Sequence, residues 1–226
     1  IYFLLLYTKI NIMYRSLFFS VLCLFCINFN AQSPSIDFIE YKLDNGLKVI
    51  LHENHNTPIV AVSVMYHVGA KNENPERTGF AHFFEHLLFE GSENIERGEF
   101  FKYIENAGGT NNANTSNDRT FYYEVLPSNQ LELGLWLESE RLMHAKIDTI
   151  GVETQNEVVK EEKRLRIDNQ PYASFLAEIN KRAYTEHPYR WTTIGKMEHL
   201  DAATLDEFMD FYHKFYVPEN AILSIA

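Results

Sequence analysis

The chain has 226 residues, 46% of them hydrophobic and 23% charged, the balance of a globular protein long enough for one large domain or one domain and part of another. Its formal net charge is −11, with no basic stripe and no run of five like charges, which excludes a nucleic acid as partner on electrostatic grounds.

The first methionine is Met13, and residues 1–12 before it are apolar and have no evident role. After it come Tyr14 and Arg15, an apolar run over 16–29, and the small residue Ala31. A basic start, an apolar middle and a small residue at the end make a secretory signal peptide, with translation expected from Met13 and cleavage after Ala31. Lys9, Asn11 and Arg15 interrupt residues 1–29, which argues against a membrane anchor. The mature chain is therefore expected to be exported, to the periplasm or the exterior of a bacterium, without a stable membrane span. Cys23 and Cys26, the two cysteines, fall in this leader, so the mature chain has no disulfide, thiolate metal site or cysteine nucleophile.

Residues 36–43 and 47–52 flank Asp44-Asn45-Gly46, a hairpin turn signal. Residues 59–68 alternate, with Val60, Val62, Val64, Tyr66 and Val68 on one side, and predict a well-buried strand. A polar loop over 72–77 leads into a helix of about three turns, with Thr78 as N-cap and Gly91 as stop. That helix carries His82-Phe83-Phe84-Glu85-His86, an H-x-x-E-H pattern. His82 and His86 are one turn apart and project from the same face, with Glu85 slightly off it. Two imidazoles at this spacing can hold one zinc ion, and the carboxylate beside them can take a proton from metal-bound water. The plainer alternative is a solvated or hydrogen-bonded histidine pair.

Residues 96–107 predict a helix closed by Gly108-Gly109, and residues 110–125 a second hairpin turning at Asn117-Asp118. Further helices are predicted from Pro127-Ser128 to about His144, over 152–166 ahead of Pro171, and over 172–184. Strands and helices are segregated rather than alternating, which indicates an α+β layer architecture. Beyond Gly195, residues 205–215 are amphipathic and 221–226 form an apolar strand. We therefore expect one domain over 36–190, the truncated start of a second over 195–226, and more protein beyond Ala226.

A catalytic zinc site needs a third protein ligand. Without cysteine, that ligand is His, Asp or Glu from another element. The helix over 152–166 offers Glu153, Glu157, Glu161 and Glu162 around Val158-Val159. Glu162 follows these valines by three and four positions and falls on the inward side, where a carboxylate needs a partner or a metal. The plainer alternative is a solvated charged helix with pairs such as Glu157 with Lys160 or Glu162 with Arg166; Glu153 and Glu157 read that way, Glu162 does not. His52, His55, His67, His144, His187, His199 and His213 read as surface or hydrogen-bonded residues.

These residues together resemble the pitrilysin/insulinase family of zinc peptidases, which includes the mitochondrial processing peptidases. The likeness rests on the H-x-x-E-H run with 75 residues between His86 and Glu162, and on Gly79-Phe80-Ala81 before it and Leu87 to Ser92 after it. Gly108-Gly109 with Asn112-Ala113-Asn114-Thr115-Ser116, Gly195, Phe211-Tyr212 and Tyr216 to Ala221 are also similar. It covers residues 36–226. The resemblance implies a mixed, largely antiparallel sheet with helices on one face, and one zinc per chain held by His82, His86 and Glu162. It further implies Glu85 as general base, and a sheet edge at Asn112 and Ala113 that takes extended peptides as an added strand. Such a protein is a zinc endopeptidase. Two departures stand out. Gln155 occupies a supporting position where the family often has glutamate. Nothing corresponds to the second homologous half that closes the family's site, so a further half or a partner subunit is expected, and this fragment is expected to be inactive alone. The alternatives are a non-catalytic scaffold subunit of the same fold, which would be expected to have lost motif residues, and a zinc-binding surface protein. S-ribosylhomocysteine lyase shares the inverted motif but uses a cysteine.

Overall fold

The computed structural model describes residues 36–226, so the leader expected over 1–31 lies outside the described residues. Asp44-Asn45-Gly46 closes the hairpin of β1 (Ile39–Lys42) and β2 (Lys48–Leu51), paired antiparallel. Asn45 Oδ1 accepts the Leu47 N–H at 3.1 Å, the local bond that makes asparagine a turn former. β3 (Ile59–Tyr66) shows the predicted alternation, burying Val60, Val62, Val64 and Tyr66. β4 (Thr110–Thr115) and β5 (Thr120–Pro127) form the second hairpin, and β6 (Ala221–Ile225) is the last strand. The sheet order is β1-β2-β6-β3-β5-β4, with β2–β6 the single parallel pairing among the described residues.

The helices are α1 (Phe80–Leu87), α2 (Phe100–Asn106), α3 (Leu131–Met143), α4 (Thr149–Lys163), α5 (Phe175–Ala183), α6 (Met197–Asp201) and α7 (Leu205–Phe215). Because side chains alternate across a strand, β3 and β5 each turn one row toward the helices. On that face Tyr122 Oη donates to the Phe84 carbonyl of α1 at 2.9 Å, and the Tyr66 ring lies 5.0 Å from Tyr216. On the other face the β3 and β5 residues are half-buried or exposed. The result is the α+β architecture with a mixed, largely antiparallel sheet that the sequence implied. Among the described residues no helix is long and apolar enough to cross a membrane.

The division expected at 190–195 falls between elements that share one sheet and one core. Phe38–Ala226 is one compact unit. β6 lies inside the sheet, parallel to β2 and antiparallel to β3, and α7 inserts Phe208, with none of its surface exposed, into the core around α1. An amphipathic helix followed by an apolar strand reads like the opening of a new module, but here both elements complete the first one. Helix bounds also shift: α2 begins at Phe100 and α5 at Phe175, later than expected.

Candidate metal centre

α1 is shorter than the three turns expected, and Thr78 is not its N-cap. The cap position is Gly79, at φ +100°, and the acceptor for the helix start is the buried side-chain carboxyl of Glu73, which takes the N–H groups of Gly79 at 3.0 Å and Ala81 at 2.9 Å. Two orphan amides are thereby satisfied at the positive end of the helix dipole. Thr78 instead donates its N–H to His199 Nδ1 at 3.1 Å. A Cβ on Gly195 would stand 2.4 Å from the Gly79 nitrogen, so both glycines are required by one close approach of backbone. Phe80, Phe83, Phe84 and Leu87 are buried, each worth about 1.5–3 kcal/mol. The Phe208 ring stacks 4.5 Å from Phe80 and 4.9 Å from Phe83.

This packing leaves the other side of α1 to His82 and His86. Their rings meet edge to face, 4.9 Å apart. α4, capped by Asp148 accepting the Gly151 N–H at 2.8 Å, brings Glu162 against them. Glu162 Oε2 lies 3.1 Å from His86 Nε2 and 3.4 Å from His82 Nε2, while Oε1 pairs with Arg166 at 2.8 Å. Burial, reinforced by the neighbouring His86, pushes His82 down to about 4, which keeps its imidazole neutral at neutral pH. The hydrogen bond from His86 holds the Glu162 carboxyl below its ordinary range. One atom from each of the three residues lies within 4.8 Å of the others, a His₂Glu donor set that suits a zinc ion.

Glu85 lines the same cavity of about 510 Å³ as the three donors, Asn112 and Ala113. Its Oε2 accepts a hydrogen bond from Thr115 Oγ1 at 2.6 Å, and burial raises its pKa against the opposing effect of that bond. Asn112 and Ala113 lie on β4, which pairs with β5 alone among the described strands and so leaves one edge open at the cavity. Gln155 is not among the residues lining it. Its Nε2 donates to Glu90, which also binds Arg97, and Arg97 reaches Asp148 at 2.9 Å. Gln155 thus braces the middle of α4 against the segment after α1. As expected, Glu157 pairs with Lys160 at 2.9 Å, and His144 pairs with Glu93 at 3.4 Å.

Several residues that build this place are not marked by motif or spacing in the sequence. Glu73 sits in a stretch that reads as polar loop. Thr115 stands within the run from Asn112 to Ser116 that carries the resemblance, with no role of its own assigned there. Arg141, buried on α3, holds Glu138 at 3.2 Å and lies 4.4 Å over the ring of Phe89, which lines the cavity, and 4.1 Å over that of Tyr122, which is fully buried and bonded to α1.

The family model described as Insulinase (Peptidase family M16) matches residues 48–196. The zinc protease PqqE of Helicobacter pylori is 36% identical over 198 residues, covering 87% of this chain and 45% of that protein. The mitochondrial-processing peptidase subunit beta of Saccharomyces cerevisiae is 26% identical over 185 residues, covering 82% of this chain and 40% of that protein. The crystal structure of a protease from Helicobacter pylori aligns at a TM-score of 0.81 and 35% identity, over 84% of this chain and 46% of that one. The chain spans about half the length of the relatives it matches.

Proposed function

The chain belongs to the insulinase family of peptidases, and from that premise we propose that it is the metal-binding half of a zinc-dependent endopeptidase acting on extended peptides. The observation that carries the reading is the meeting of His82, His86 and Glu162 donor atoms within 4.8 Å, in one cavity with Glu85 and the open edge of β4. His82, His86 and Glu162 would hold the ion. Zinc, when bound, supplies Lewis acidity and lowers the pKa of water. Glu85 would take a proton from the water whose oxygen attacks the scissile carbonyl carbon and deliver it to the amine nitrogen as the C–N bond breaks, one carboxylate serving as base and then acid. Asn112 and Ala113 present backbone N–H and C=O groups to the peptide as an added strand, which selects extended chains over folded ones. A second homologous half or a partner subunit completes the site, in keeping with relatives about twice as long. Export through the leader ending at Ala31 belongs to the same proposal.

The test separates binding from chemistry in the full-length protein. Glu85→Gln keeps one zinc per chain and loses cleavage of a quenched peptide, whereas Glu162→Gln and His86→Ala lose the zinc itself. Retained turnover in Glu85→Gln overturns the assignment. The scaffold-subunit alternative predicts zinc binding with no cleavage by the wild type.

A further inference from the structure

We propose that Thr115 is a positioning residue for Glu85, holding one carboxylate oxygen from the substrate-side strand so that the other is left to take the proton. The inference rests on the peptidase reading above. The Thr115 Oγ1 to Glu85 Oε2 distance of 2.6 Å is that of an O–H group donating to a carboxylate, a charge-assisted bond stronger than a neutral one. It is the single hydrogen bond to the Glu85 side chain among the described residues, and it crosses from β4 to α1. With Oε2 engaged, rotation about the last side-chain torsion is stopped and the two oxygens become unequal. An unheld carboxylate would have to find that orientation in every turnover.

The donor is itself well fixed. Thr115 is β-branched, so its χ1 is restricted on a strand and the hydroxyl direction follows from the backbone. Its Cα partner across the ladder is the fully buried Thr120, whose hydroxyl donates to the Val68 carbonyl at 2.9 Å. Two positions back on the same strand is Ala113, at the open edge where a peptide would add. One strand therefore both receives the peptide and aims the base, and a peptide that straightens β4 also steadies Glu85.

The experiment uses the full-length, zinc-loaded protein carrying Thr115→Val or Thr115→Ser. Thr115→Val should lower kcat about tenfold or more, as loss of a hydrogen bond to a charged group does, with KM within about twofold and zinc content unchanged. Thr115→Ser, which restores a hydroxyl, should recover most of the loss. Independently of activity, a double-mutant cycle of Thr115→Val with Glu85→Ala on the unfolding free energy should be non-additive. Additivity in that cycle, full kcat in Thr115→Val, or equal failure of the two Thr115 variants overturns the role of Thr115 alone. Absence of zinc-dependent cleavage by the wild type overturns the peptidase reading, and the catalytic role of Thr115 with it.

Discussion

The two helices that bring donors to the candidate site are held in unlike ways. α1 is gripped along its length: Glu73 and the Gly79–Gly195 contact fix its start, and Phe80, Phe83 and Phe84, none more than 3% exposed, lock it between sheet and α7. α4 buries only Gly151 and Val159. Much of its remaining attachment is polar and near the surface, such as Lys160 and Asn156 to Asp201, each at 2.7 Å. Just beyond Glu162 the backbone loosens into a π turn over Arg164–Asp168, followed by Tyr172 at φ +64° and 90% exposed. Elements with few buried apolar contacts open at lower free energy than a packed core. The histidine pair is thus placed by the core, whereas Glu162 is delivered by an element that can adjust to what it binds.

The largest expected effect tests the first half of that contrast. Phe208→Ala removes the ring stacked on both Phe80 and Phe83 and should destabilise the protein by about 3–5 kcal/mol, read as a shift of the urea midpoint. An effect under about 1 kcal/mol would mean that α1 is not anchored by α7. Next in size is metal removal. Zinc at a free concentration 100-fold above its dissociation constant stabilises the holding state by about 2.7 kcal/mol. Because α1 is already fixed, chelation should raise amide exchange chiefly over residues 160–168 and little over 80–87. Equal changes in both segments would erase the contrast.

The same difference explains what could be read in the sequence. The Asp44-Asn45-Gly46 hairpin, the β3 alternation and α7 over Leu205–Phe215 were legible because each is written in local chemistry or periodicity. His82 and His86 were legible from helical spacing, and Glu162 from a carboxylate lying on an inward face. Glu73 was not, since an acid six and eight positions ahead of the amides it caps looks like any loop acid. The place of β6 between β2 and β3 was not legible either. Alternation tells which face of a strand is buried and is silent on which strand lies beside it.

Read per pH unit, the smallest effect concerns Glu73, and its sign is definite. Burial pushes the Glu73 carboxyl up from its ordinary 4.5 to about 8, against the opposing pull of the Gly79 and Ala81 amides. Between these two pH values the folded protein binds a proton that the unfolded chain has released, so stability must fall as pH rises. The contribution of the protonated group is complete below about 4.5, is lost on the way to about 8, and changes no further above it. The loss across any one pH unit in that window is at most about 1.4 kcal/mol. Glu73→Gln, which stays neutral, should remove this slope and should gain on the wild type steadily from pH 5 to pH 8 when unfolding is followed at each pH. A wild-type slope that survives the substitution would assign the titration elsewhere. A slope of opposite sign removed by it would show that the amides hold the carboxylate ionised. In that event the start of α1 would be anchored by charge, and its grip would strengthen with pH while the attachment of α4 stayed as it is.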